Sequence, residues 1–208
     1  MPYIYSAAVT SHETGIPSMR AMVLEFPNDI FCEDIESQYM LGENLLVAPI
    51  FNEDSLAKYY LPKGEWTHLL SNEVRQGGKW IEESYDYFSL PLFVRENSII
   101  PVGNNCKDTD YDYADGLTLN IFSLKDKAET VIYNKNGDLA LKVSALNENG
   151  KVTVTLDGKY NDLKICMRNI YRIENIIGAT AEKCEKGVIL NVNNTNRLRD
   201  IYGSKLLG

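Results

Sequence analysis

Residues 149–158 read Asn-Gly-Lys-Val-Thr-Val-Thr-Leu-Asp-Gly, and this stretch decides the fold class of the chain. From Lys151 to Leu156, polar and apolar side chains alternate, which is the pattern of a strand with one face buried and the other in water. Asn149-Gly150 precedes the run and Asp157-Gly158 follows it, and both pairs favour the tight turns of β-hairpins. The stretch therefore predicts antiparallel β-structure.

Short apolar or alternating runs of the same kind continue on both sides of this stretch. They recur roughly every 8–12 residues with turn residues between them, which is typical of β-sandwiches. A polar, Asp-rich segment at residues 104–116 has the composition of a linker. The chain is therefore predicted to be mainly β, with two antiparallel β-sandwich domains at residues 43–104 and 105–208. The predicted strands are residues 45–50, 58–61, 66–70, 79–82, 88–94, 99–102, 117–122, 130–133, 139–143, 151–156, 163–168 and 188–192.

The first 42 residues have a different pattern. Residues 2–13 read as a helix, and residues 30–41 read as a second one. Between them, residues 19–25 form a nearly continuous apolar run, typical of a strand that is covered on both faces in a parallel sheet. A helix, a buried strand and a helix are a piece of α/β architecture. The residues taken to bound the two helices are Pro2, Gly15, Pro17, Asn28, Asp29 and Gly42.

The composition is ordinary for a soluble globular protein, with 21 Lys+Arg against 29 Asp+Glu in 208 residues. Residues 1–104 carry 6 Lys+Arg and 15 Asp+Glu, whereas residues 105–208 carry 15 and 14, so the two halves have different surfaces. With a net charge of −8, neither a nucleic acid nor an anionic membrane is expected as a partner. The length also excludes a complete eight-stranded α/β barrel beside a second large domain, because the barrel alone takes about 250 residues.

The location expected from the sequence is the cytoplasm. No stretch approaches the roughly 18 uninterrupted apolar residues of a membrane helix, and the first residues lack the basic and apolar regions of a secretory signal. The four cysteines, Cys32, Cys106, Cys166 and Cys184, include no CxxC pair, so neither a zinc knuckle nor a redox motif is supported. They are expected to be reduced thiols.

Histidines and aromatic residues supply no catalytic or metal site. His12 and His68 are far apart, and neither has a carboxylate or a second histidine at ligand spacing, so both are expected to be structural or surface residues. Trp66 and Trp80 could form a platform on which a sugar stacks, but aromatic side chains on strands more often belong to the core. An exposed platform would indicate a carbohydrate-binding module, and buried tryptophans would count against one.

Carboxylates are plentiful, but their spacing does not identify a site. Residues 108–112 read Asp-Thr-Asp-Tyr-Asp and begin like a calcium loop, yet Tyr113 and Leu119 stand where the loop needs Gly and a bidentate Glu. A solvated acidic linker is therefore the preferred interpretation. Pairs such as Glu33-Asp34, Glu53-Asp54 and Glu82-Glu83 are more typical of a solvated face than of a glycosidase pair.

A series of short blocks, in the same order, resembles glycoside hydrolase family 31. The blocks are MPYIY (1–5), PSMRAM (17–22), LEFP (24–27), QYMLG (38–42), NLLVAPI (44–50), YLPKGEWTH (60–68), SLPLFVR (89–95) and IPVG (100–103). Within the family, MLG (40–42) and WTH (66–68) are most similar to the bacterial α-xylosidase branch. Residues after 104 match more loosely, through CMRN (166–169) and the strands around it.

The resemblance implies a fold for each part of the chain. In the family, a catalytic (β/α)8 barrel is followed by a proximal and a distal β-sandwich. Residues 1–42 would be the C-terminal remnant of the barrel, with its seventh helix, eighth strand and last helix. Residues 43–104 would be the proximal sandwich, and residues 105–208 the distal one.

The resemblance also implies that the catalytic residues are absent from this chain. The family consists of retaining α-glycosidases with an Asp nucleophile and an Asp acid/base, and both lie upstream, on barrel strands four and six. No catalytic, substrate-binding or metal residue is therefore assigned here, and no cofactor is expected. The loop at residues 25–31 would lie at the rim of the barrel, which makes Asp29 a possible rim residue, although helix capping is the preferred role.

The function expected is that of the C-terminal part of a retaining α-xylosidase-like glycosidase, inactive as this chain. The full-length parent would hydrolyse α-linked xylose or glucose from oligosaccharides in carbohydrate metabolism. The expected partners are that oligosaccharide substrate and either the missing part of the barrel or further copies of the chain. Two alternatives stay open, namely a stand-alone carbohydrate-binding β-sandwich module and one chain of a split glycosidase.

Overall fold

Strands provide most of the regular structure in the computed structural model, which describes residues 1–105, 107–192 and, as backbone, 199–207. The chain divides into two compact units. The first unit is Thr10–Glu96, and the second unit combines Met1–Val9 with Asn97–Gly208. The helix predicted at residues 2–13 is present as α1, Pro2–Thr14, which begins in the second unit and ends in the first. In the part of the chain that the structure describes, no helix is both long and apolar enough to cross a membrane.

The first unit contains a six-stranded and a two-stranded sheet. The large sheet has the strand order β1-β2-β3-β8-β5-β6 with antiparallel neighbours, and β4 pairs with β7 in the small sheet. The elements are β1 (Met19–Ala21), α2 (Met22–Glu25), a 3-10 turn (Ile30–Cys32), β2 (Tyr39–Leu41), β3 (Leu45–Val47), β4 (Leu56–Leu61), β5 (Glu65–His68), β6 (Val74–Gln76), β7 (Lys79–Ser84) and β8 (Leu92–Arg95).

The core of the first unit is rich in large side chains. Trp66 from β5, Phe93 from β8 and Tyr59 from β4 are all buried, and they belong to one cluster with Met22 and Met40. Because these residues come from both sheets and from α2, the cluster holds the small sheet and the residue 22–32 segment to the large sheet.

The second unit contains two five-stranded sheets that share one core. Their strand orders are β16-β17-β14-β10-β9 and β11-β12-β13-β18-β15, and both sheets contribute residues to one buried cluster. Among the described strands of this unit, every pair is antiparallel except β10 with β14, which is parallel. The strands are β9 (Ser98–Val102), β10 (Thr118–Phe122), β11 (Lys127–Tyr133), β12 (Leu139–Glu148), β13 (Lys151–Gly158), β14 (Lys164–Arg168), β15 (Arg172–Ile177), β16 (Ala179–Cys184), β17 (Gly187–Val192) and β18 (Arg199–Leu207).

The hairpin predicted at Asn149-Gly150 is confirmed. Both residues have positive φ, 55° and 85°, and Glu148 pairs with Lys151 across the turn. The alternation along β13 is confirmed as well, because Val152, Val154 and Leu156 point into the core.

The second turn, predicted at Asp157-Gly158, is wrong. Gly158 is the last residue of β13 and pairs with Leu141. Its φ is +140°, and a Cβ at this position would lie 2.2 Å from the carbonyl oxygen of Ala140. The glycine is therefore explained by the close approach of β12 and not by a hairpin.

The buried parallel strand predicted at residues 19–25 is also wrong. Only Met19–Ala21 is a strand, it runs antiparallel to β2, and Met22–Glu25 forms one helical turn. Within that turn only Met22 is buried, whereas Val23 and Leu24 are exposed. An ion pair of 3.0 Å between Arg20 and Glu25 closes the turn, so the apolar run does not continue as a strand.

The helix predicted at residues 30–41 is replaced by the 3-10 turn and by β2. The side chain of Gln38 donates to the carbonyl of Tyr60 at 2.8 Å and accepts from its N–H at 2.7 Å, which holds the segment against β4. Gly42 is not a helix cap, since it has a φ of 62° in the turn between β2 and β3. Its N–H donates to the carbonyl of Ser18.

Several strands carry weak or misleading sequence signals. β6, β15 and β16 were not predicted, and most of their side chains are exposed or half-buried, so they lack an apolar stripe. β18 was missed as well. The strand at residues 99–102, placed in the first sandwich from the sequence, pairs as β9 with β10 in the second unit. The division into residues 1–42, 43–104 and 105–208 stays a prediction.

Candidate functional site

The loop that follows β1 and α2 forms one side of a pocket of about 570 Å³ in the first unit. The opposite side comes from β4, from the turn after it and from Gly78. The lining residues are Glu25, Phe26, Pro27, Asn28, Asp29, Ile30, Phe31, Tyr60, Pro62, Lys63 and Gly78. The pocket therefore combines apolar and aromatic walls with two carboxylates and one ammonium group, a composition that suits a small polar ligand with an apolar face.

Asp29, the possible rim residue, lines this pocket as the cap of the 3-10 turn. Its Oδ1 accepts a hydrogen bond from the N–H of Phe31 at 3.2 Å, which agrees with the preferred capping role. Its Oδ2 accepts from the hydroxyl of Tyr60 at 3.0 Å. Burial, together with this hydrogen bond to a carboxylate, raises the pKa of Tyr60 to about 12. Asp29 thus joins the loop to β4.

Glu25, the second carboxylate of the pocket, is held by two arginines. Its Oε2 lies 3.0 Å from Nη1 of Arg20, and its Oε1 lies 2.6 Å from Nη2 of Arg95. Arg20 also approaches Glu43 at 3.6 Å, and Arg95 stacks over the ring of Phe26. These contacts fix the start of the loop to β1 and β8.

The two carboxylates of the pocket therefore hold the loop in place through ion pairs and hydrogen bonds. A retaining glycosidase needs one carboxyl group as an acid and another as a nucleophile, about 5 Å apart on either side of the sugar. Here each oxygen of Glu25 accepts from an arginine, and each oxygen of Asp29 accepts from the loop or from β4. The arrangement can bind and orient a ligand, but it does not present a free acid and nucleophile.

A second polar cluster lies around Glu83 of β7. The carboxylate accepts from the guanidinium of Arg75 at 2.7 Å, from the hydroxyl of Tyr59 at 2.6 Å and from that of Tyr85. Burial alone would raise the pKa of Glu83, but these hydrogen bonds outweigh it and lower the pKa to about 2. Arg75 also binds Glu73 through two nitrogens, at 3.0 and 2.8 Å. The cluster ties β4, β6 and β7 together.

His68 is buried beside this cluster, whereas His12 is exposed on α1. Nδ1 of His68 accepts from the N–H of Ser71 at 3.1 Å, so the neutral ring carries its proton on Nε2 and donates to the carbonyl of Leu90 at 2.9 Å. Burial lowers the pKa of His68. The ring joins the turn after β5 to the segment before β8.

The remaining residues considered from the sequence form no metal centre in the described residues. Asp108 and Asp112 accept from backbone N–H groups two residues further on, and Asp110 pairs with Lys135 at 2.8 Å. Free thiols are present at Cys32, Cys166 and Cys184, while Cys106 lies outside the described residues.

The two tryptophans have opposite environments. Trp66 is 2% exposed, and its indole N–H donates to the carbonyl of Pro62 at 2.8 Å, so it belongs to the core. Trp80 on β7 is 44% exposed and lies 5.5 Å from the ring of Tyr60.

Sequence reasoning missed most of the pocket. Glu25 and Arg95 are seventy positions apart, and nothing in their spacing indicates that they meet. Tyr60 and Lys63 lie in and just after a predicted strand, but only the tertiary fold brings them to the loop. A signal was available at Glu25, because a carboxylate inside an apolar run needs a cationic partner when it is partly buried.

Two family models match the chain, one in each half. Residues 15–100 match the glycosyl hydrolase family 31 C-terminal domain, and residues 112–199 match the C-terminal domain of the α-xylosidase YicI. Together they account for most of the chain and for both units.

Curated relatives agree with these models, and a solved structure shares the fold. The α-xylosidase XylQ of Lactiplantibacillus pentosus is 36% identical over 167 residues, which are 78% of this chain and 22% of that protein. An α-xylosidase of Emericella nidulans is 28% identical over 182 residues, 79% of this chain and 23% of that protein. A family 31 dextranase of Flavobacterium johnsoniae, solved with isomaltotriose, has a TM-score of 0.80 and 22% identity over 98% of this chain and 31% of that one.

This chain thus spans less than a quarter of the length of these two curated relatives. The two family models match consecutive parts of it, and both describe C-terminal domains. The chain therefore belongs to glycoside hydrolase family 31, of which it contains the C-terminal region.

Proposed function

We propose that this chain is the C-terminal part of a retaining, α-xylosidase-like glycoside hydrolase and is inactive on its own. The full-length parent would hydrolyse α-linked xylose or glucose from oligosaccharides, and its catalytic carboxylates would lie in the part of the relatives that this chain does not span. The acid/base and nucleophile chemistry needs two carboxylates and no metal or cofactor. The role of this chain would be to complete and support the catalytic domain.

One observation carries the proposal, namely the unpartnered edge of β1 and the exposed apolar side chains around it. In the described residues, β1 has a neighbouring strand on one side only. Met19 is 60% exposed, Leu24 54% and Ile30 71%, and Val23 between them is exposed as well. Open strand edges and clustered apolar side chains usually have a partner that covers them. The remaining strands of the barrel are the partner that we propose.

The domain assignment follows from this proposal. Residues 1–42 would supply the last part of the (β/α)8 barrel sequence and complete the barrel through α1 and β1. Residues 43–104 would be the proximal β-sandwich and residues 105–208 the distal one, with β9 (Ser98–Val102) paired into a sheet of the distal domain. The two sheets with a common core in the second unit support the last of these assignments.

The cellular setting is part of the same proposal. Three free thiols support a reducing compartment, and we propose the cytoplasm. The net charge of −8 argues against a nucleic acid or an anionic membrane as a partner.

The inactivity is tested with p-nitrophenyl α-xyloside and the purified chain. We expect no turnover above the rate without protein. Variants Glu25→Gln and Asp29→Asn change the two carboxylates of the pocket. They test whether any hydrolysis that is measured is catalysed by this chain and not by a contaminant. Turnover that copurifies with the chain and disappears in either variant would contradict the proposal.

A second candidate function, a non-catalytic carbohydrate-binding module, is favoured by one observation. Trp80 on β7 and Phe31 are both exposed, and both rings lie beside the ring of Tyr60, as in an aromatic platform. The burial of Trp66 counts against a platform built from both tryptophans. The unpartnered edge of β1 supports the split-glycosidase alternative equally. In that alternative, a separate chain supplies the rest of the barrel.

A further inference from the structure

One face of the two-stranded sheet carries an exposed aromatic surface with a charged rim. The register pairs Tyr60 of β4 with Trp80 of β7, and the next residues on the same face are Lys58 and Glu82, which also pair. We call these four residues, together with Phe31, the Trp80 platform. All of them lie in the first unit.

The aromatic part of the platform is continuous. Tyr60 is 3% exposed and forms its floor, with the ring of Trp80 at 5.5 Å and the ring of Phe31 at 5.4 Å. Trp80 and Phe31 remain 44% and 54% exposed. Since the core already contains Trp66 and Phe93, the indole of Trp80 is not needed to fill it. The rings of Trp80 and Phe31 are tilted by 47° and 43° against the ring of Tyr60, so the exposed indole itself is the flat surface that a ligand can cover.

The charged rim lies within reach of that surface. The ammonium group of Lys58 lies over the Trp80 ring, 5.8 Å from its centre, so a ligand that stacks on the indole must displace it. Glu82 is directly opposite Lys58 in the register. Successive side chains on one face of a strand are about 6.6 Å apart, which is on the order of the width of one pyranose with its hydroxyl groups. Beyond Tyr60, Asp29 and Lys63 line the adjoining pocket.

These features match a sugar better than other ligands. A pyranose has an apolar C–H face that suits the negative face of an aromatic ring. Its rim of hydroxyl groups both donates and accepts, so it can use a donor-only ammonium and an acceptor-only carboxylate at once. A phosphorylated or nucleic-acid ligand would meet the carboxylates of Glu82 and Asp29, and an apolar peptide would leave the charged pair without water.

We propose that the Trp80 platform binds a short α-linked oligosaccharide, with one pyranose stacked on the indole and its neighbouring hydroxyls between Lys58 and Glu82. The next sugar would enter the pocket beside Phe31 and Tyr60. The site is accessory, because it carries out no bond cleavage. It rests on the proposed function only in that the parent acts on such saccharides.

The test is a titration of the chain with isomaltotriose or with xylosyl-α-1,6-glucose, in which binding is measured by calorimetry and by tryptophan emission. The sequence contains two tryptophans, so the Trp66→Phe variant makes Trp80 the sole emitter. We expect a saturable change in emission and a binding constant in the millimolar range. Calorimetry on the unsubstituted chain gives the same information if Trp66→Phe does not fold.

Variants assign the binding to the platform. Trp80→Ala should weaken binding by up to about tenfold, and Lys58→Ala and Glu82→Ala should each weaken it severalfold. Tyr87→Ala is the matched control, since Tyr87 is a fully exposed aromatic residue outside the platform, and it should bind like the unsubstituted chain.

The inference would be overturned by a lack of saturable binding, or by binding that Trp80→Ala leaves unchanged. Glycerol at the same concentration separates specific binding from a general polyol effect, and an equal response to glycerol would also count against the platform. None of these results bears on whether the chain can complete a catalytic barrel, which hydrolysis measurements decide separately.

Discussion

The carboxylate of Glu25 lies 2.6 Å from the guanidinium of Arg95, although seventy residues separate them in the chain. The same carboxylate binds Arg20, which is 7% exposed. Glu25 therefore neutralises two arginines that come from strands β1 and β8 of the large sheet. In doing so it fixes the loop that lines the pocket.

Replacing Glu25 by Gln should lower the free energy of unfolding by about 2–3 kcal/mol, because it removes the carboxylate that binds Arg95 and leaves Arg20 with only the exposed carboxylate of Glu43. Urea denaturation at neutral pH measures the loss. Glu43→Gln is the matched control, since Glu43 is 66% exposed and 3.6 Å from Arg20, and it should cost less than about 0.5 kcal/mol. Equal losses in the two variants would show that Glu25 is no more important than a surface charge.

Glu83 should make the free energy of unfolding depend on pH in the acidic range. Its pKa is lowered from 4.5 to about 2 in the folded chain, so its contribution is complete above pH 4.5 and disappears as the pH falls toward 2. We expect Glu83→Gln to be less stable than the unsubstituted chain at pH 7, by about 1–3 kcal/mol, with the gap closing in acid.

Urea unfolding between pH 2 and pH 7 follows that gap. Glu53→Gln, an exposed carboxylate outside the cluster, serves as control and should show no gap of its own. A difference for Glu83→Gln that stays constant across the pH range would mean that the carboxylate is not held in its charged form by Arg75 and the two tyrosines.

His68 should titrate below the usual range of histidine. Burial lowers its pKa from 6.5, and protonation of Nδ1 would break the hydrogen bond from Ser71. Because the unfolded chain then binds the proton more readily, His68 reduces stability as the pH falls below 6.5. The imidazole resonances in NMR report the midpoint directly, and a His12→Gln variant assigns them. A midpoint at or above 6.5 for His68 would refute this expectation.

The two tryptophans should respond differently to truncation. Trp66→Ala removes a 2% exposed core residue and should cost about 3–5 kcal/mol, whereas Trp80→Ala should cost about 1 kcal/mol or less. Thermal or urea unfolding of the two variants, measured side by side, checks the difference. Similar losses would place Trp80 in the core and remove the basis of the platform.

The sequence was sufficient to predict the features of the fold that depend only on neighbouring residues. The alternation in β13 and the Asn149-Gly150 turn are local, and both are present in the structure. It failed where a distant contact decides the conformation. Residues 30–41 have a pattern that suits a helix, but Gln38 binds the backbone of Tyr60 and leads the chain into β2 instead.

The candidate site shows the same limit. Asp29 was considered because the family resemblance places its loop at the rim of the barrel, and its capping role depends on the N–H of Phe31, two positions away. Its second partner, Tyr60, and the pairing of Glu25 with Arg95 depend on how the sheets pack. Arg75 lies on β6, a strand of three mostly exposed residues with no recognisable pattern. The sequence signals at most that Glu25 needs a cationic partner, and it does not indicate which distant residue supplies the cation.

The most direct test of the central claim compares this chain with a fusion. In the fusion, the part of Lactiplantibacillus pentosus XylQ that precedes the matched region is joined to this chain, and both proteins are assayed with p-nitrophenyl α-xyloside. We predict that the chain alone gives no turnover and that the fusion hydrolyses the substrate. The account is contradicted if the fusion folds and stays inert, or if the chain alone turns over substrate and loses that activity in Glu25→Gln or Asp29→Asn.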